Sequence, residues 1–230
     1  MEKTTGIKVV GRRALIGRGF LGQTLDKPGR WTDRYHSKNI HEMSGQYDFI
    51  VIAAPSAEKW RANQFPQVDN WQMGNLVEGL LQVQADRVVL LSTIDASRIG
   101  PYGQHRRALE GIVEGAFPGS SILRLPALYG DGLKKNALYD LLHGKQIANQ
   151  VYHWYPTVRL WDDVKAAASR LTCLYSAPLS MWEIAERLGL TDLVTQSCDP
   201  RNDYMEPVPY TMTSQEVLEE IVTWAKSASL

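Results

Sequence analysis

Scarcity narrows this chain before any motif does. Its only two cysteines, Cys173 and Cys198, stand far apart with no C-x-x-C pair, so a disulfide framework is excluded and a reducing compartment is the default. Neither sign of charge prevails: 25 Lys and Arg are set against 25 Asp and Glu. A balanced chain has no field with which to draw nucleic acid or an anionic membrane. Its apolar runs all fall short of the ~20 residues that a membrane-crossing helix needs. The opening Met1-Glu2-Lys3-Thr4-Thr5 leads into no apolar leader segment. A cytoplasmic protein with neither nucleic acid nor membrane as partner is therefore expected. The histidines His36, His41, His105, His143 and His153 are scattered without metal-ligand spacing, and no metal is expected. Repeats and low-complexity stretches are missing too. At 230 residues the chain can bury a substantial core, as one large domain or as one domain with a small lobe.

What is present gathers first at Ala14-Leu15-Ile16-Gly17-Arg18-Gly19-Phe20-Leu21-Gly22. A short apolar run ends in G-x-G-x-x-G and a helix-forming segment follows at once. In that setting Gly17 takes the tight turn off a strand and Gly19 lets backbone approach a pyrophosphate. Gly22 lets the helix pack on the strand. The phosphates would sit on the unpaired N–H groups of the new helix. The end of the second strand then decides between NAD and NADP, because an acid there binds ribose hydroxyls and an arginine favours a 2′-phosphate. Both Asp33 and Arg34 are available, and Arg18 lies inside the loop. The expectation leans to NADP over NAD.

Further along, strands and helices alternate. Ala14 to Ile16 and a segment within Arg30 to Tyr35 read as the first two strands, with a helix from Phe20 to Leu25 between them. Tyr47 to Ile52 is a continuous apolar strand running into Ala53-Ala54-Pro55-Ser56, small residues that leave room for a cofactor. A helix over Val68 to Val83, a strand Arg87 to Thr93 ending in two hydroxyls, a helix Tyr102 to Phe117 and a strand Ser121 to Leu125 follow. This is an α/β pattern: a Rossmann-type doubly wound parallel sheet. After Tyr129-Gly130 the rhythm changes to helical stretches around Leu133–Leu142, Asp162–Leu174, Met181–Leu188 and Ser214–Ala225. Ser180 with Glu183, and Thr213 with Glu216, read as capping boxes. The polar, proline-rich Asp199 to Pro209 reads as a surface loop. The division expected is a dinucleotide-binding core over 1–130 and a smaller, mostly helical substrate lobe over 131–230, with part of 150–175 returning to the core. The aromatic span Val151 to Pro156, with Trp161, is expected in the core or at a subunit interface, or stacked on a sugar or base.

Taken in order, the glycine loop, the Ala-Ala-Pro-Ser turn, the Ser-Thr strand end and Tyr102-Gly103-Gln104-His105-Arg106 resemble the short-chain dehydrogenase/reductase superfamily. The likeness is to its extended and atypical branches, which include sugar-nucleotide epimerases, dehydratases and dTDP-4-dehydrorhamnose reductase. It covers roughly residues 12–175: Leu123-Arg124-Leu125-Pro126-Ala127-Leu128-Tyr129-Gly130 is similar to the family's "LR…YG" strand end, and Asp162-Asp163-Val164 to its "DDV" element. The resemblance implies an NAD(P)-dependent oxidoreductase or epimerase acting on a carbonyl or hydroxyl carbon of a small molecule such as a sugar nucleotide. Tyr102 would transfer the proton and Arg106 would supply charge and a ribose contact. Thr93, or Ser92, would orient the substrate oxygen. Ala53, Ala54 and Pro55 would flank the cofactor, and Pro126, Ala127 and Leu128 would lie near the nicotinamide. Spacing i, i+4 puts a cation on the same helix face as the phenol, where it favours the phenolate. Two features depart from the family: Arg106 stands where it has Lys, and the link from Thr93 to Tyr102 is short. They favour the alternative, a non-catalytic NAD(P)-binding regulator or scaffold. The resemblance also implies a homodimer through the helices that carry Gly74-Asn75-Leu76 and Tyr102. His105 reads as an exposed helix residue.

Overall fold

Apolar runs that stop abruptly at glycine, proline or hydroxyl residues are where this chain becomes sheet. The computed structural model describes residues 11–168, 170–199 and 209–227; most of the loop expected over 199–209 lies outside them. In chain order the elements are β1 (Arg13–Ile16), α1 (Phe20–Leu25), β2 (Asp33–Tyr35), β3 (Gly45–Tyr47), β4 (Phe49–Ile52), α2 (Lys59–Gln64), α3 (Pro66–Leu80), β5 (Val83–Ala85), β6 (Val88–Thr93), α4 (Pro101–Ala116) and β7 (Ser121–Leu125). The rest are β8 (Ala127–Tyr129), α5 (Ala137–Leu142), β9 (Ile147–Tyr152), β10 (Trp154–Pro156), α6 (Leu160–Ala166), β11 (Leu171–Cys173), β12 (Leu179–Ser180), α7 (Met181–Leu188), β13 (Val194–Asp199) and α8 (Ser214–Ser227).

Six strands form one parallel sheet in the order β2-β1-β4-β6-β7-β11. Chain direction across it reverses between β1 and β4, and a doubly wound sheet opens its crevice at such a point. Alternate residues of one strand serve opposite layers. Ile50 and Ile52 of β4 pack with Met73, Leu76 and Leu80 of α3 and Leu109 and Val113 of α4. Phe49 and Val51 pack with Leu25 of α1 and Leu160 and Val164 of α6. Burial on both faces is why these strands read as unbroken apolar runs. The crossover from β7 to β11 uses α6, on the α1 side, although it travels across the sheet in the same direction as those using α3 and α4. Its hand is therefore the opposite of theirs.

A third cluster joins Tyr129, Leu138, Leu141, Trp154, Met181, Ile184, Val217 and Ile221. Around it stand three helices, α5, α7 and α8, and the small sheet β12-β9-β13. Both capping boxes form: Ser180 Oγ accepts from Glu183 N and the Glu183 carboxylate accepts from Ser180 N, and Thr213 and Glu216 do the same. The helix expected over 162–174 stops at Ala166, and Leu171–Cys173 pairs with β7 as the sixth strand. A short apolar run satisfies either period, and the open edge of β7 decided. Helix α5 starts at Ala137 rather than Leu133 because Asn136 Oδ1 caps Tyr139 N at 2.9 Å.

Candidate active site

Three of the loop glycines answer three different demands. Gly17 has φ +114°, and a methyl group there would stand 2.2 Å from Ala53 O. Its N–H donates to Tyr35 O (2.7 Å) while Ala53 N donates to Ile16 O (2.7 Å), locking the turn between β2 and β4. A methyl on Gly22 would stand 2.2 Å from Gly17 O, so α1 lies directly on the loop. Gly19 differs: a methyl there would meet nothing within 4 Å. The space it leaves faces solvent at the start of α1, where helix N–H groups have no intrahelical acceptor. Gln23 Nε2 donates to Arg18 O (3.0 Å) and closes the loop from the other side. A diphosphate fits this cradle; a side chain at position 19 would enter it. Phe20 and Leu21 follow as the first residues of α1, and Arg18 is exposed.

At the adenosine end the residues singled out from the sequence are not brought to the crevice. Asp33 is the first residue of β2, level with Ala14. It is gripped by Arg12 Nε and Nη2 at 3.0 and 3.1 Å. Arg12, then Thr32, hold its carboxyl below the usual range against the cost of burial. Arg34 Nε pairs with Asp26 at 2.8 Å on the surface. The residues that follow the strand end at Tyr35 are His36, Ser37 and Lys38. A sequence reading misses them because a three-residue strand gives no register for locating its own end.

At the other end of the crevice, Thr93 closes β6 and accepts from Asp95 N at 3.2 Å. Tyr102, the second residue of α4, has its ring buried, and its N–H donates to Asn63 Oδ1 at 3.0 Å. Burial pushes the phenol above its ordinary value. The Arg106 charge opposes that shift, the Asp95 carboxylate adds to it, and hydrogen bonding from Arg106 and Thr93 lowers the phenol again without cancelling the rise. Thr93 and Tyr102 are thus brought together. Ser92 is not: its hydroxyl donates to Glu110 Oε1 (2.5 Å), a buried carboxylate that also takes Arg124 Nε and Nη2 at 3.0 and 2.7 Å.

Arg106 lies over the Tyr102 ring, 4.5 Å from its centroid. Its Nη1 and Nη2 bind Asp69 of α3 at 3.0 and 2.8 Å, and Nη2 also donates to Ser56 O at 2.8 Å. His105 is half-buried rather than exposed, with Nδ1 on Asp69 Oδ2 at 2.7 Å. Burial would raise the Asp69 carboxyl, but Arg106 and then His105 outweigh it and hold it below the usual range. Ala53, Ala54 and Pro55 line the strand end beside Gly17, and Pro126, Ala127 and Leu128, all half-buried, follow β7. Asp69 had no signal in the sequence, being 37 residues from its partner.

Between α1, α6 and α8 runs a groove of about 1010 Å³ whose walls include Phe20, Arg30, Tyr129, Trp161, Glu220 and Trp224. Neither Thr93 nor Tyr102 is on its walls. Of the aromatic span, Trp154 and Tyr155 are buried in the core and Trp161 faces this groove. Among the described residues no three acid, histidine or cysteine side chains stand together as a metal site, and no helix is long and apolar enough to cross a membrane.

No family of known sequences matches the chain, and no curated protein is similar to it in sequence. Solved structures are. An NAD-dependent NDP-hexosamine 5,6-dehydratase of tunicamycin biosynthesis is 14% identical over 94% of this chain and 98% of its own, with TM-score 0.65. UDP-glucose 4-epimerase of Thermotoga maritima, solved with UDP-glucose, is 12% identical over 93% and 97%, with TM-score 0.65. The dTDP-4-dehydrorhamnose reductase of Bacillus anthracis, in complex with NADP, is 13% identical over 94% and 99%, with TM-score 0.66. The fold is therefore the one shared by NAD(P)-dependent sugar-nucleotide epimerases, dehydratases and reductases of the extended short-chain type.

Proposed function

We propose that this chain binds a nicotinamide dinucleotide across the carboxyl ends of β1, β4 and β6 and acts as an oxidoreductase or epimerase on a carbonyl or hydroxyl carbon. The observation that carries the reading is the open, glycine-walled turn at Gly19 after β1, with Thr93 at the same end of the parallel strand β6 and hydrogen-bonded to Tyr102. Gly17 to Gly22 would hold the diphosphate, with Ala53 to Pro55 and Pro126 to Leu128 along the rest of the cofactor. When bound, the nicotinamide would supply or accept a hydride. Thr93 would hold the substrate oxygen, and Tyr102 would exchange a proton with it. Arg106, with its nitrogens turned to Asp69 and Ser56, acts as a fixed charge rather than a ribose contact.

The preference for NADP rests on Arg18, as the sequence suggested, and on residues after β2 in place of Asp33 and Arg34, which are paired to Arg12 and Asp26. No acid follows β2 directly. Ser37 and Lys38 stand there with His36, and Arg18 is free on the surface of the loop, a set suited to a 2′-phosphate. The substrate class proposed is the sugar nucleotide, taken up with the help of the 131–230 lobe. The aromatic and carboxylate walls of the large groove, which lacks Thr93 and Tyr102, suit only a part of such a substrate remote from its reacting carbon. The expected homodimer belongs to the same reading, through the outer faces of α3 and α4, where Trp71 and Gly74 are exposed.

Titrating NADPH and NADH against tryptophan fluorescence tests the reading. NADPH should quench at lower concentration, and failure of both to bind sinks it. The second reading, a binder without turnover, is favoured by the commitment of Arg106 to Asp69. Turnover that survives Tyr102→Phe removes the proposed proton transfer, whereas loss of turnover with binding intact supports it.

A further inference from the structure

Resting on the reading just given, the buried cluster behind Tyr102 says which way the site is biased. A planar guanidinium held by two parallel bonds to one carboxylate has a single orientation, unlike an ammonium on a flexible stem. Asp69 and Arg106 are 6% and 4% exposed, so water screens this pair little. Arg106 is also tied to the Ser56 carbonyl beside the Ala54-Pro55 turn. The charged or polar groups acting on the Tyr102 hydroxyl are Arg106, Thr93 and Asp95, and Asp95 is itself paired with Lys59 at 2.7 Å. Facing Asp69 are Arg106 and His105.

We propose that Asp69 is a positioning residue: it pins Arg106 over the Tyr102 ring, damps its charge, and so keeps Tyr102 a proton donor, biasing the site toward carbonyl reduction. In that reduction the carbonyl carbon would take the hydride that a bound reduced nicotinamide supplies, and its oxygen would take the Tyr102 proton as the phenol O–H bond breaks. The phenolate left behind regains a proton from water. The enclosed phenol and the compensated cation both favour the protonated form, which is the form a reduction consumes. An oxidation would need the phenolate at rest, and an uncompensated cation at position 106 would promote it.

The test is a titration of the phenol itself, in the protein without cofactor or substrate. Fluorotyrosine is incorporated at position 102, which makes the phenol more acidic than tyrosine and brings its titration within the folded range, and it is followed by fluorine NMR. In Asp69→Asn the amide oxygen still accepts from Arg106 but the negative charge is gone. The apparent pKa at position 102 should fall by about one unit or more, the size expected for unmasking a cation beside an ionisable group. Asp69→Glu, which restores the charge, should return it close to the parent. Asp69→Ser carries the same expectation as Asp69→Asn and serves if the amide does not fold. A titration that stays put or moves upward in the uncharged variants overturns the proposal. Loss of melting temperature alone, without that shift, marks Asp69 as a structural staple only and also overturns it. Because no dinucleotide is added, the outcome is independent of whether NADPH binds.

Discussion

Gly17 and Gly19 sit two positions apart and are glycine for unrelated reasons. At Gly17 the backbone is in the positive-φ region and Ala53 O blocks any Cβ, so strain and clash add. Gly17→Ala should cost at least about 2 kcal/mol. That corresponds to a drop of about 4–8 °C in melting temperature for a chain of this size. Gly19 has ordinary extended dihedrals, φ −70° and ψ −167°, with open space beyond. Gly19→Ala should leave the melting temperature within about 1 °C yet weaken NADPH by about tenfold or more, since about 1.4 kcal/mol of lost phosphate contact is enough. Differential scanning fluorimetry and fluorescence titration separate the two. Equal loss of stability in both variants would mean the loop is a structural turn and nothing more. A tight turn at Gly17 and a bare backbone at Gly19 were both expected from the sequence; the Ala53 carbonyl that bars a side chain at Gly17 was not.

At the scale of elements, α4 is held by two enclosed ion pairs, one to a neighbouring helix and one to the sheet. Its first turns meet α3 through Arg106 and Asp69. Its middle meets β6 and β7 through Glu110, Ser92 and Arg124, and Arg124 Nη1 reaches Ser97 Oγ at 2.9 Å. The 94–97 turn and the Tyr102 end of the helix are therefore referenced to the same strands. Arg124→Met strands the Glu110 carboxylate in a dry setting and should cost about 3–5 kcal/mol, whereas the double variant Arg124→Met, Glu110→Leu should recover much of that. Urea unfolding of the two variants measures it. A single variant as stable as the parent would remove the Arg124–Glu110 pair from the account of what holds α4. None of this was readable from the chain, since the partners of Glu110 come from other elements.

For the whole molecule, stability should depend on acid. Asp33 and Asp69 are both held below the ordinary carboxyl range in the folded state. Their contribution is complete above the unfolded value, about 4, and drains away as pH falls below that through their depressed folded values. The urea midpoint should thus be flat near neutrality and drop between about pH 4 and 2. Asp33→Asn, which removes one of the two groups, should lower the midpoint at pH 7 and shallow the acid drop. An unchanged pH profile in that variant would remove Asp33 from the account. The same two carboxylates illustrate what pattern reading misses: both are the kind of residue one assigns to solvent or to a ligand, and each is occupied by an arginine of the chain itself.

The sequence alone determined the glycine turn, the order of central strands and long helices through Leu125, and both capping boxes, because each depends on residues within a few positions of one another and on backbone preferences that need no partner. It did not separate the side pair of Gly45–Tyr47 with Val83–Ala85, which its pattern joins to the strand over 47–52 and the helix over 68–83. Tertiary structure decided the rest. Asp33 went to Arg12 across 21 residues, and Arg106 to Asp69 across 37. Leu171–Cys173 became a strand because β7 had an open edge. Such pairings are chosen by which groups must share a dry space once the sheet has closed, and no local pattern along the chain records that competition.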